Sequence, residues 1–164
     1  MKLLLYILAI TFVTYTSGQQ MNNEKLGEII NEVADNVEGE LGRWQFQINE
    51  TVFIVLTDEN NNRMRIISPI TNAVSLEKDM LHNALVANFH SALDVKYAIS
   101  EDVLWSAFIH PFKELTEVQI KDAISQVYYA NINFGTTYAS TSLIFPGSQK
   151  EKKPKEKTLK TRKI

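Results

Sequence analysis

Residues 81–135 read LHNALVANFHSALDVKYAISEDVLWSAFIHPFKELTEVQIKDAISQVYYANINFG, and the punctuation of this stretch decides the fold. Its first part continues a helix expected over residues 76–90. Ser75 is the expected N-cap, with Glu77 and Asp79 in the first turn, where the helix dipole favours acids. Leu81, Ala84, Leu85, Asn88 and Phe89 form the inner stripe expected for that helix. In residues 93–100, Leu93, Val95, Tyr97 and Ile99 alternate with Asp94, Lys96 and Ala98, which predicts a half-buried strand. Glu101-Asp102 predicts a tight turn. Residues 103–110 (VLWSAFIH) predict a strand apolar on both sides, ended by Pro111. Thr116-Glu-Val-Gln119 has the form of a capping box, with Leu115 and Ile120 placed for a hydrophobic staple. The helix it opens carries Ala123, Ile124, Val127, Tyr128 and Ile132 on its inner stripe and runs to about Phe134-Gly135.

Upstream, residues 24–38 (EKLGEIINEVADNVE) place Leu26, Ile29, Ile30, Val33 and Val37 at helical spacing, with Gly39 as the expected C-cap. Three strands follow. In residues 43–49, Trp44, Phe46 and Ile48 alternate with Arg43, Gln45 and Gln47. Residues 51–57 (TVFIVLT) are apolar on both faces, which predicts a central strand. Asn49-Glu50 turns between these two strands. Residues 58–62 are turn formers, and residues 63–70 (RMRIISPI) resume a strand in which Pro69 implies an end or an edge. The expected order is α-β-β-β-α-β-β-α. It describes an α+β domain with a five-stranded, mainly antiparallel sheet and three helices, with no internal repeat.

This order resembles class I type III secretion chaperones and the related YbjN-like domains. Residues 81–135 carry the resemblance: a helix ending in Asn-Phe, a short strand, an acidic turn, a strand ending in proline, then Leu-Thr-Glu opening a helix. It extends over roughly residues 22–135. The resemblance implies an α+β domain, often a homodimer, that binds protein segments and has no catalytic centre. Two features depart from the chaperone pattern: a leader-like N-terminus and a basic C-terminal tail.

The 164-residue chain has 45% hydrophobic and 22% charged residues, enough for one domain. It has no cysteine, which excludes a disulfide scaffold, a thiolate metal site and a cysteine nucleophile. Lys2 precedes an apolar run from residue 3 to 13, too short to span a bilayer as a mature helix. Thr16 and Gly18 then suit a cut before Gln19, so residues 1–18 read as a secretory signal peptide. That predicts an exported chain, periplasmic or secreted. The domain is expected over residues 22–145.

From Pro146 the composition changes. Residues 146–164 hold eight Lys/Arg against Glu151 and Glu156, a net +6, while residues 21–145 hold eight basic against seventeen acidic residues, a net −9. The overall −2 conceals this segregation. Without an apolar stripe to offset its ordering entropy, the tail is expected to be disordered. Three roles stay open for it: a solubilising segment, adhesion to an anionic membrane or envelope surface through Lys150, Lys152, Lys153, Lys155 and Lys157, or docking onto the acidic body. Nucleic acid ranks last as a partner, because the tail has no aromatic side chains for stacking.

Motifs for chemistry are missing. His82, His90 and His110 lack the i, i+3 or i, i+4 spacing of a metal pair, so no metal is expected. There is no Gly-x-Ser-x-Gly elbow, Walker loop or Gly-x-Gly-x-x-Gly, and so no expected catalytic residue or cofactor. Residues 58–62 lack the order of a calcium loop. Asn49-Glu50-Thr51 matches a glycosylation sequon that matters only in a glycosylating host.

One physical surplus remains. A single layer of helices covers one face of a sheet, and the other face should then be polar. Residues 51–57 and 103–109 are apolar on both faces, so something must cover the second one. Phe53, Val55, Trp105 and Phe108 are the candidate partner or dimer surface. The functional expectation is a non-enzymatic, exported protein–protein interaction module, chaperone-like or regulatory and homodimeric, which binds itself or a client protein. The alternative is an envelope-associated protein tethered to an anionic surface by its basic tail.

Overall fold

The computed structural model describes residues 20–141. The signal peptide expected at residues 1–18 and the tail expected at 146–164 lie outside the described residues. The elements are α1 (Asn23–Val33), β1 (Asp35–Glu40), β2 (Arg43–Ile48), β3 (Thr51–Asp58), β4 (Arg63–Asn72), a 3-10 turn (Ala73–Ser75), α2 (Lys78–His90), β5 (Lys96–Ser100), β6 (Val103–His110) and α3 (Glu117–Ile132). The strands form one antiparallel sheet in the order β1-β2-β3-β4-β6-β5.

The sheet has six strands where five were expected. The extra one arises where the first helix stops early. The Asn22 side chain caps α1 by accepting from the Lys25 N–H at 2.9 Å, but the helix ends at Val33. The next residues pair with β2 instead, through a bulge between Asp35 and Glu38, with Asn36 at φ 51. Gly39 is therefore no helix cap. It lies in β1 at φ +114, where a Cβ would come within 2.2 Å of the Arg43 carbonyl oxygen. Local helical periodicity lost here to pairing with a neighbouring strand, and Asp-Asn at 35–36 marks the break.

Pro69 is a second correction, since it lies within β4, an interior strand. The ladder to β6 shifts register between Pro69 and Thr71, and the recorded pairing with β3 stops at Ile67. A proline without an N–H is tolerated at such a shift. The turns behave as their residues predict. Asn49, Glu50, Glu101 and Asp102 all have positive φ, the geometry of tight two-residue hairpins.

The core lies between one face of the sheet and the helices. α3 crosses β4 and β6, α1 packs beside α3, and α2 lies along β5. Phe46 and Phe53 stack at 5.1 Å between ring centroids and are fully buried with Val55, Ile66 and Ile120. The capping box holds the start of α3: the Gln119 N–H donates to Thr116 Oγ1 at 3.3 Å and the Thr116 N–H to Gln119 Oε1 at 2.9 Å. Polar contacts then fix its far end. Asn131 Nδ2 donates to Ser68 Oγ at 2.7 Å and to the Pro69 carbonyl at 2.9 Å, and Ser106 Oγ donates to the Val127 carbonyl at 3.1 Å. Lys121 joins α3 to α1 through Glu32 at 2.8 Å.

The middle helix departs most from its expected stripe. It starts at Lys78 after Glu77, which makes no side-chain cap bond, rather than after Ser75. Ala84 and Ala87 face inward, whereas Leu85 and Phe89 are 68% and 86% exposed. Asn88 turns to the sheet instead: its side chain accepts from the Tyr97 N–H at 2.7 Å and donates to the Tyr97 carbonyl at 3.1 Å. Ile132 at the end of α3 is likewise exposed, and Tyr128 is only half-buried.

Candidate protein-binding face

The strand registers define which side chains share the uncovered face. One cross-strand row runs Gln45, Ile54, Ile67, Ala107 and Lys96. The next runs Arg43, Leu56, Arg65 and Ile109. A third places Gln47 opposite Val52, and Pro69 opposite Trp105, with Ala98 beyond it on β5. The middle of this face is thus apolar: Val52, Ile54, Leu56, Ile67, Trp105 and Ile109. Most are half-buried by their strand neighbours, while Ile109 is 60% exposed. The Trp105 indole N–H donates to the Ser100 carbonyl at 3.3 Å, which fixes the ring against the β5–β6 hairpin.

Charge surrounds the apolar strip. Glu38 and Glu40 of β1 stand next to Gln45 and Arg43 of β2, at an open depression of about 400 Å³ also bordered by Ile54. Arg65 interrupts the strip from β4. At the β5 margin, partial burial holds the Lys96 ammonium below its ordinary pKa, and the nearby Asp94 charge opposes that shift. Among the described residues no group of three His, Asp or Glu side chains could hold a metal ion, and no helix is long and apolar enough to cross a membrane. His110 instead lies against Phe108, stacked at 5.6 Å, with Nδ1 at 2.8 Å from the Pro111 carbonyl oxygen.

The four residues expected on the partner surface do not stand together. Trp105 lies on the open face. Phe53, Val55 and Phe108 point the other way, into the core. Phase explains the split. Val55 pairs with Trp44 and Phe53 with Phe46, both of which the helices cover, and Phe108 is three positions from Trp105, so the two must face opposite sides. The surface belongs to the alternate set: Val52, Ile54 and Leu56, with Ile67 from β4, which the sequence reading did not single out. The signal was present in the Arg43/Gln45/Gln47 alternation, which identifies the solvent-side phase of the neighbouring strand. The five tail lysines, Lys150 to Lys157, lie outside the described residues.

Comparison with known proteins gives the fold a class. No family model and no curated protein matches the chain. Among solved structures, the HopA1–SchA chaperone–effector complex matches with a TM-score of 0.52 at 11% identity, over 65% of this chain and 87% of that one. The Yersinia pestis type III secretion chaperone SycH, in complex with a stable fragment of YscM2, matches with a TM-score of 0.52 at 15% identity, over 68% of this chain and 98% of that one. The chain therefore has a fold of the class I type III secretion chaperone kind. At these identities the likeness is one of fold.

Proposed function

We propose that this protein is a non-enzymatic, exported protein-binding module, chaperone-like in action, which pairs as a homodimer through the open face of its sheet. The observation that carries this reading is the apolar strip Val52, Ile54, Leu56, Ile67, Trp105 and Ile109, left uncovered by all three helices. A soluble domain rarely keeps a contiguous apolar patch without a partner. The chaperone–effector complexes among its structural neighbours support a protein as that partner. The N-terminal apolar run supports export.

Static light scattering of the protein tests the pairing. The expected mass is that of two chains, falling to one chain in the Trp105→Ala, Ile109→Asp double variant with an unchanged circular dichroism spectrum. A wild-type mass of one chain at every concentration overturns the homodimer. A second reading rests on the +6 tail: Lys150, Lys152, Lys153, Lys155 and Lys157 hold the protein to an anionic surface. Sedimentation with vesicles containing phosphatidylglycerol tests it. Binding should vanish when the five lysines are changed to Ala, and with rising salt.

A further inference from the structure

We infer that residues 142–153 of the chain fold back onto the exposed side of α2, with Leu143–Phe145 on its apolar stripe and Lys150, Lys152 and Lys153 toward its acidic start. The stripe is the most exposed apolar feature of the helices. Phe89 and Leu85 stand nearly free, and Val86 flanks them. No described element covers this side of α2, which touches the rest of the fold mainly along β5.

The path of the chain selects the occupant. The Ser140 N–H donates to the Ser91 carbonyl at 3.1 Å, and Ser91 Oγ donates to the Tyr138 carbonyl at 3.2 Å. Both contacts hold the outgoing chain at the C-cap of α2, two residues past Phe89. A helix rises about 1.5 Å per residue, so Val86 lies roughly 7.5 Å along the axis from Ser91. The segment from Ser140 to Phe145 spans up to about 17 Å when extended. Leu143, Ile144 and Phe145 are the last apolar cluster before the basic tail, and an extended chain of that length is long enough to reach the stripe. The Ser140 hydroxyl adds a second sign: it is buried yet has no hydrogen-bond partner among the described residues. Buried hydroxyls are rarely left so, and a backbone group from the residues just beyond would satisfy it.

Charge fixes the direction of travel. Seven helical positions, about 10 Å, separate Val86 from Asp79 and bring the two to nearly the same side of α2. Glu77 stands just before the helix, and the 3-10 turn that leads into it is bonded to the β5–β6 hairpin, the Ala73 N–H donating to the Asp102 carbonyl at 2.7 Å. Glu77 and Asp79 thus stand at this end with Lys78. Five extended residues, roughly 16 Å, carry the chain from Phe145 to Lys150. The tail's order, apolar then basic, matches the helix read backwards from Phe89 to Glu77.

Hydrogen exchange of α2 in the full-length protein tests this, at two protein concentrations tenfold apart. Leu143→Asp with Phe145→Asp should speed exchange of the residue 81–90 amides by about fivefold, because local opening grows easier as buried apolar contact is lost. Lys150→Glu, Lys152→Glu and Lys153→Glu together should speed it less, with the difference vanishing in high salt. Equal exchange in the wild type and the aspartate variant overturns the docking. So does α2 protection that rises with protein concentration and ignores the tail substitutions, since the stripe would then belong to a second copy.

Discussion

The two faces of one sheet are both apolar, yet they differ in kind. The inner face packs Trp44, Phe46, Phe53, Ile66 and Phe108 under helices, at full burial, with every serine on it bonded to helix or strand. The outer face spreads Val52, Ile54, Leu56, Ile67 and Trp105 in a shallow layer among Arg43, Arg65 and the acids of β1. Burial of the first set holds the fold together. The second set is only half-buried and is the surface proposed above for contact with another molecule. That difference teaches that apolar content alone does not separate core from open face; phase along the strand does.

The largest effect should come from the inner face. Phe53→Ala removes one half of the Phe46 stack and should destabilise the protein by about 3–5 kcal/mol, read from urea denaturation. A loss under about 1 kcal/mol would mean that the two faces are alike after all. Next comes the helical roof. Thr116→Ala removes the capping-box oxygen that accepts from the Gln119 N–H and should cost about 1 kcal/mol by the same measurement. Trp105→Ala on the outer face should lower stability of the isolated chain by less than Phe53→Ala does, while weakening self-association about tenfold or more, as followed by sedimentation equilibrium.

The smallest effect sharpens the comparison at the sheet's end. Asn62 binds the β6–α3 connection: its Oδ1 accepts from the Phe112 and Lys113 N–H groups at 2.9 and 2.8 Å, and its Nδ2 donates to both Glu114 carboxylate oxygens. That side-chain bond, the leading cause, holds the Glu114 pKa below 4.5, and Asn61 does the same for Asp58 below 3.8. Both folded pKa values are depressed, so their stabilisation is complete above the unfolded values and is lost as pH falls through the folded ones. Stability should therefore fall slightly from about pH 5 downward. In Asp58→Asn with Glu114→Gln, denaturation midpoints between pH 5 and 3 should decline less steeply.

Most of the fold is legible in the sequence where local signals and tertiary demands agree. The capping box at Thr116, the Glu101-Asp102 turn and the alternation of residues 43–48 all lead directly to the elements observed. Legibility fails where long-range pairing overrides local pattern. Residues 35–38 continue a helical stripe but are claimed by β2. Leu85 and Phe89 read as an inner stripe because a helix's period does not say which side meets the sheet; the small Ala84 and Ala87 do, since they let α2 approach closely. The open face was legible as a surplus, from strands apolar on both sides. Its membership was not, because only the register shows that Ile54 and Ile67 stand side by side.

The paired bonds from Asn88 to Tyr97 have a consequence for assembly. Outermost strands with bare amides and carbonyls invite neighbouring chains to add on indefinitely. Here one border has the N–H and carbonyl of Tyr97 already taken by the Asn88 side chain, and the opposite border, β1, is kinked by a bulge and lined with Asp35, Glu38 and Glu40. Growth strand upon strand into fibres is discouraged at both ends, so the pairing proposed above would have to use the flat of the sheet, a geometry that closes at a small number of copies.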